Sequence, residues 1–442
     1  MQLRIRVIAA ALVLLVLSGG PHTLPAGESD GLRVGFGKSD ITPEVPTPMW
    51  GYGARHALLS QGTLTPLYAK AIVIQGDDGK VALVGLDIGR GPTREMMEKI
   101  RAAISEKAGI EHVLISGSHS HHGPVIELLD REGFGKGTFD DAVAYAKKLP
   151  DLIIGAILEA DKNAKPATIG VGTRELTLNR NRHTKREPKA RDPLLSVMRF
   201  DDAESGKPLA VLVNFAAHPV MTKSEVLKFS ADYPGFMENK VEAALDTNCV
   251  FMQGASGDLS PNPTADFNEP QLFGEELARN VIEVAGEIES EPLKRNTIAG
   301  RVDPFLFKSR IDFSNPAVIA LYNLAFFPEL IACFVEEAKD GHHAELNTVV
   351  IGREIALVGG SGEFFCNHAV RLRERSYVDH TLFFGYCNGH NLYFPTIEAV
   401  SEGGYGADAN VSPVEIGAGE QMMNRALINI YELAGRFSAE AK

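Results

Sequence analysis

The apolar residues of this chain fall into short runs that alternate with longer stretches of helical period. Val81–Ile88 is an apolar run of strand length. In Thr93–Ala108, Met96, Met97, Ile100, Ala103 and Ile104 recur at the three- and four-residue spacing of one helix face, with Gly109 as a stop. His112–Ile115 is strand-like again, so the three segments predict a βαβ unit. Further helices are expected at Asp140–Ala160, Gly235–Leu245 and Gln271–Glu287. Further strands are expected at Leu209–Asn214, Val250–Gln253, Thr348–Ile351, Ile355–Val358 and Thr381–Tyr386. This interleaving predicts an α/β domain of mixed β-sheets flanked by helices, not a bundle or a sandwich. Pro316–Val335 is rich in Leu, Ile, Ala and Phe and is interrupted by Pro. It reads either as a core helix pair or as an apolar wall or lid able to receive an acyl chain.

Several predicted strands end in the same manner. Leu209–Val213 runs into Asn214-Phe215-Ala216-Ala217-His218-Pro219, and Val250–Met252 into Gln253-Gly254-Ala255-Ser256-Gly257-Asp258. Ile355–Val358 runs into Gly359-Gly360-Ser361-Gly362-Glu363. Glycine permits close approach of backbone to a ligand, and ligands of α/β sheets bind at strand carboxyl ends. Such strands could converge on one site. The richest exit follows Ile115, where His119, His121 and His122 lie within four residues before Gly123-Pro124. Imidazole is the commonest metal ligand. Alternate residues of extended chain point to opposite sides, so His119 and His121 can face one metal only if the chain turns. Otherwise one would ligate while the other serves chemistry nearby.

Arg4 and Arg6 precede an apolar run from Val7 to Leu17, closed by Ser18-Gly19-Gly20. This reads as a signal peptide over residues 1–20 and predicts an exported protein, secreted or periplasmic, with no transmembrane span once the signal is removed. The formal charge of −13 becomes −15 without Arg4 and Arg6. An acidic chain with no basic stripe argues against nucleic acid and against electrostatic docking on anionic lipid. Cys249, Cys333, Cys366 and Cys387 have no paired spacing, and a chain of this size needs no disulfide.

Six stretches, taken in order, resemble the neutral (non-lysosomal) ceramidase family. They are Val34-Gly-Phe-Gly-Lys-Ser-Asp-Ile-Thr-Pro43, Gly117-Ser-His-Ser-His121, Asn214-Phe-Ala-Ala-His218-Pro219, Gly257-Asp-Leu-Ser260-Pro-Asn262, Gly362-Glu363-Phe364 and Gly403-Gly-Tyr405. The resemblance is to the N-terminal catalytic domain, placed here over residues 31–442. The separate C-terminal sandwich-like domain of the larger ceramidases is not expected. By resemblance, zinc would be held by His119, His218, Glu363 and Tyr405, with Tyr405 a labile fourth ligand or an oxyanion donor. The reaction implied is attack of zinc-activated water on an N-acyl amide of a ceramide-like lipid, with His121 handling the proton. Arg182 resembles the family's substrate-site arginine, with Arg180 as its rival. Ser260 matches a family serine and reads as a substrate contact or as a turn cap before Pro261.

Other readings stay open. The same zinc set would serve an esterase or another amidohydrolase, and a non-catalytic binding homologue could keep the fold. A serine hydrolase would need a G-x-S-x-G elbow, which Ser260 lacks. Glu363 could instead be a first-turn acid of a helix over Phe364–Arg375. His122 stands where the family carries Ser. His342, His343, His368, His380 and His390 are expected to be surface or core histidines. Asp40 is expected to order a turn, and Asp87 to steady a histidine, bind a further cation or serve structure alone.

Overall fold

Strands that lack polar alternation must be covered on both faces. The computed structural model, which describes residues 31–437, meets that demand with layers of helix, sheet, sheet and helix. The expected signal segment lies outside the described residues. The larger sheet contains β1 (Arg33–Asp40), β2 (Tyr68–Gln75), β3 (Lys80–Leu86), β4 (His112–Gly117), β5 (Lys165–Glu175), β6 (Leu194–Asp202), β7 (Pro208–Phe215) and β8 (Asn248–Gln253). Its order is β8-β7-β6-β5-β1-β2-β3-β4. The smaller sheet runs β9 (Ile298–Phe307), β10 (His342–Ile351), β11 (Ile355–Gly360) and β12 (His380–Phe384) in that order. Neighbours are antiparallel except β3 with β4, β7 with β8 and β11 with β12. The α/β class with mixed sheets is therefore as expected.

Alternate residues of each buried strand serve two cores. On the side between the sheets, Ile72, Leu83, Leu114, Met198, Leu212 and Val250 meet Val349, Leu357, Leu382 and Phe384. The opposite face of the larger sheet packs on α1 (Arg94–Ala108) and α2 (Asp140–Lys162) over one half, and on α3 (Asp232–Leu245) and α4 (Pro270–Glu287) over the other. Thr93 caps α1 by accepting from the Met96 N–H, and Gly109 ends it at φ 63°. The larger sheet curls on itself. Gly85 of β3 lies so close to β8 that an added Cβ would stand 2.4 Å from the Phe251 carbonyl oxygen. That curl brings the carboxyl ends of β4 and β7 to one place.

Sequence pattern missed β1, β2, β5, β6 and β9. In β1 the reason is steric: Gly35 and Gly37 face α2, where a Cβ would come within 2.1 Å of the Ala160 oxygen and 2.2 Å of the Ala156 oxygen. Close packing on the helix removes the side chains that would have marked the strand. Residues 316–335 do form a helix pair, α5 (Pro316–Ala325) and α6 (Pro328–Glu337), but not a core one. No residue of α5 is buried, and in α6 only Ile331 and Cys333 are. The outer face of the smaller sheet is covered by α7 (Cys366–Ser376) and α8 (Ala418–Leu433) instead. All four cysteines are buried and unpaired. Among the described residues, no helix is long and apolar enough to cross a membrane.

One charge cluster holds the curled sheet. Edge strand β8 would leave N–H groups unpaired, and α3 answers with carboxylates: Glu238 accepts from Phe251 N at 2.7 Å and Glu242 from Cys249 N at 3.2 Å. Lys70 of β2 meets both, at 3.0 Å and 2.7 Å. Asp87 accepts from Tyr68 N at 2.8 Å beside this cluster, which makes it a structural residue. Burial pushes the Glu238 carboxyl up to about 8 despite Lys70. Lys70→Met should therefore destabilise the fold by about 3–5 kcal/mol, because buried Glu238 and half-buried Glu242 lose the ammonium they share. Urea unfolding that shows less than about 1 kcal/mol would contradict this role.

Candidate metal centre

The exits of β4, β7, β11 and β12 bring imidazoles and a carboxylate to one point. His119 follows β4 in the left-handed region, at φ 69°. This is the turn that an extended chain lacks, and it sets the His121 Nε2 3.3 Å from the His119 Nε2. His218 enters from the β7 exit, and Glu363 from the exit of β11. The Glu363 Oε2 lies 3.4 Å from His119 Nε2 and 3.2 Å from His218 Nε2. Its other oxygen lies 3.3 Å from the Nε2 of His390, which follows β12. His119, His218, Glu363 and His390 are all buried.

Second partners decide which nitrogen is free. The Nδ1 of His119 lies 2.7 Å from the Gly89 carbonyl, and the Nδ1 of His218 lies 2.7 Å from that of Ser256. A carbonyl only accepts, so both Nδ1 atoms carry a proton, which leaves Nε2 as the ligating atom of each ring in its neutral form. Burial, reinforced by the Arg182 guanidinium, pushes His218 down to about 3, so it is neutral at pH 7. Burial likewise drives His121 well below its ordinary value, helped by His119 and His218. The Glu363 carboxyl is opposed by its burial, yet the surrounding imidazoles hold it well below the usual range.

The Nε2 atoms of His119 and His218 thus crowd a single Glu363 oxygen within 3.2–3.4 Å, and the Arg182 guanidinium reaches the His218 nitrogen of this group. Ligand-competent atoms packed this closely are well placed to surround a cation. In each of the sets His119, His121, His218 and His119, Glu363, His390, the donor atoms all lie within 4.8 Å of one another. Neutral nitrogens plus one carboxylate are a donor set suited to a divalent transition metal. The His121 Nδ1 is buried against Gly51 and has no hydrogen-bond partner among the described residues.

Arg182 is the arginine that reaches this group. Its Nη2 donates toward His218 Nε2 at 2.9 Å, the Gly257 carbonyl at 3.0 Å and the Tyr393 hydroxyl at 3.0 Å. Arg180 turns instead to the Pro261 carbonyl. Tyr405 stands outside the inner cluster. It is 67% exposed, its ring centroid is 5.7 Å from that of buried Tyr393, and the Arg182 guanidinium lies 5.9 Å over it. Ser260 is half-buried and pairs through its backbone with Arg180. His122 is bound by Arg55 at 2.6 Å and lies 3.1 Å from the Lys223 carbonyl, behind the cluster. Asp40 orders a turn by accepting from Thr42 N.

Sequence reasoning missed His390, Tyr393, Tyr386 and Trp50. His390 did carry a signal: Thr381–Tyr386 empties into Cys387-Asn388-Gly389-His390, the same strand-then-small pattern as the other exits. Tyr386 stacks on His119 at 4.1 Å and shares a hydrogen bond with Ser256 at 2.9 Å.

The model of the family described as neutral/alkaline non-lysosomal ceramidase, N-terminal, matches residues 32–272. A neutral ceramidase of Drosophila pseudoobscura pseudoobscura is 26% identical over 278 residues, covering 57% of this chain and 39% of that protein. One of Oryza sativa subsp. japonica is 28% identical over 255 residues, covering 52% of this chain and 30% of that protein. Each match therefore spans less than two fifths of the relative's length. The crystal structure of neutral ceramidase from Pseudomonas aeruginosa has the same fold, with a TM-score of 0.74 at 20% identity over 92% of this chain and 75% of that one. With the family model covering more than half of its length, the chain belongs to the neutral/alkaline non-lysosomal ceramidases.

Proposed function

We propose that this protein is an exported, zinc-dependent amidohydrolase that cleaves the N-acyl bond of a ceramide-like lipid. The observation that carries the reading is the convergence of the His119 and His218 Nε2 atoms on one Glu363 oxygen, with both Nδ1 atoms anchored on backbone carbonyls. Family membership supports ceramide as the substrate class, and the basic–apolar–small pattern of residues 1–20 supports export.

When bound, zinc would lower the pKa of a water toward neutrality and polarise the scissile carbonyl. His119, His218 and Glu363 would hold it, with His121 on the open side. His121, whose Nε2 lies 3.3 Å from that of His119, is assigned the proton that passes to the leaving amine. Arg182 and the Tyr393 hydroxyl beside it offer donors to the developing oxyanion. Tyr405 extends this hydroxyl-bearing edge outward and is assigned to substrate contact or to late donation as the substrate closes over it. Ser260 is assigned a supporting role for the Asn179–Asn181 ribbon that carries Arg182 toward the site.

One purified sample decides between the main readings. Zinc near one per chain is expected, with N-acyl-sphingosine hydrolysis lost on chelation and restored by zinc. Zinc without turnover of that lipid would keep the centre and redirect the search to other amides and to esters. A chain that holds no metal would overturn the proposal.

His218→Ala removes a ring whose Nδ1 is anchored on the Ser256 carbonyl and whose Nε2 faces Glu363. It should lower metal affinity and turnover by at least about two orders of magnitude. Full turnover by a zinc-free His218→Ala protein would sink the mechanism.

A further inference from the structure

We propose that Trp50, the chain's single tryptophan, is a positioning residue that clamps the imidazoles of the metal centre through a closed loop of contacts. The inference rests on the metal-centre reading. The indole stands edge-on to three imidazoles, with ring centroids 5.1 Å from His119, 5.5 Å from His121 and 5.4 Å from His390. Such T-shaped contacts are directional and fix ring orientation as well as position.

The partly buried indole is itself anchored. Its Nε1 donates to Glu127 Oε1 at 3.0 Å, and that oxygen also accepts from Arg90 Nη1 at 3.2 Å. Glu127 and Arg90 are buried, so this pair is screened little by solvent. Arg90 follows Gly89 in the chain, and Gly89 has no side chain because the indole fills that space: a Cβ there would lie 2.2 Å from Trp50 Cε3. The Gly89 carbonyl is the acceptor that orients His119 through Nδ1. The loop therefore runs from the indole to Glu127, to Arg90, to Gly89 and back to the indole. One side chain thereby touches three imidazoles and the backbone that orients one of them. The backbone N–H of Trp50 donates in turn to the Gly123 carbonyl, just beyond the His cluster.

A residue that only filled space would change stability without changing how the metal is held. The clamp predicts otherwise. Metal-free full-length protein is titrated with Zn2+ and with Co2+, and release to a competing chelator is timed. Emission of the wild type comes from Trp50 alone among tryptophans, so it should shift with Zn2+ and be quenched by Co2+ at one equivalent. Trp50→Leu should release zinc about 10–100-fold faster while the metal-free protein still unfolds cooperatively. Trp50→Phe keeps a ring edge but loses the Glu127 bond, and should fall between the two. Gly89→Ala, which displaces the indole without removing it, should reproduce the faster release. Release within about twofold of wild type from folded Trp50→Leu, or from Trp50→Phe should the leucine variant not fold, would overturn the clamp. A wild-type protein that binds neither ion would instead overturn the metal-centre reading beneath it.

Discussion

A carboxylate removed from water must have its charge met, and Glu363, 3% exposed, is met by imidazoles from three separate strand exits. This constraint organises the centre. The two oxygens face different partners, so the group cannot rotate without breaking one set. The imidazoles on the Oε2 side have already committed their Nδ1 protons to backbone carbonyls. What remains is a set of ligand-competent atoms already gathered where a cation would sit. The site is thus preorganised: its donors are held together before a ligand arrives.

Holding them there is the work of the sheets. Three parallel strand pairs, β3 with β4, β7 with β8 and β11 with β12, aim carboxyl ends in a common direction within each pair. The curl at Gly85 and the face-to-face packing of the two sheets bring these pairs together. The buried Lys70 cluster closes the curl from the helical side. Packing, edge pairing and ligand geometry are therefore one problem solved once.

Much of this was legible in the sequence. Buried strands announce themselves by apolar runs, and the small residues after Ile115, Val213 and Val358 mark where backbone approaches a ligand. His119, His121, His218, Glu363 and Arg182 were found because each sits in such an exit or in a family stretch. The elements that escaped were those whose signals are removed by close contact, as with Gly35 and Gly37 of β1. Trp50 escaped because an edge-on aromatic contact joins residues 69 and 340 positions apart and leaves no local pattern. Tyr393 and Tyr405 flank the same guanidinium, and burial together with the Arg182 hydrogen bond distinguishes Tyr393; composition around either one cannot. The apolar stretch 316–335 shows the opposite failure: hydrophobicity identified helices correctly but not their exposure, since α5 turns Leu321 and Leu324 to solvent.

The four thiols bear on stability. Each is enclosed by side chains, and burial raises all of their pKa values, most simply at Cys333, which is pushed up to about 12. Thiols in that state are poor nucleophiles and poor partners for exchange. The closed layers contain no cross-link among the cysteines, so the finished fold draws no stability from a disulfide and loses none under reducing conditions.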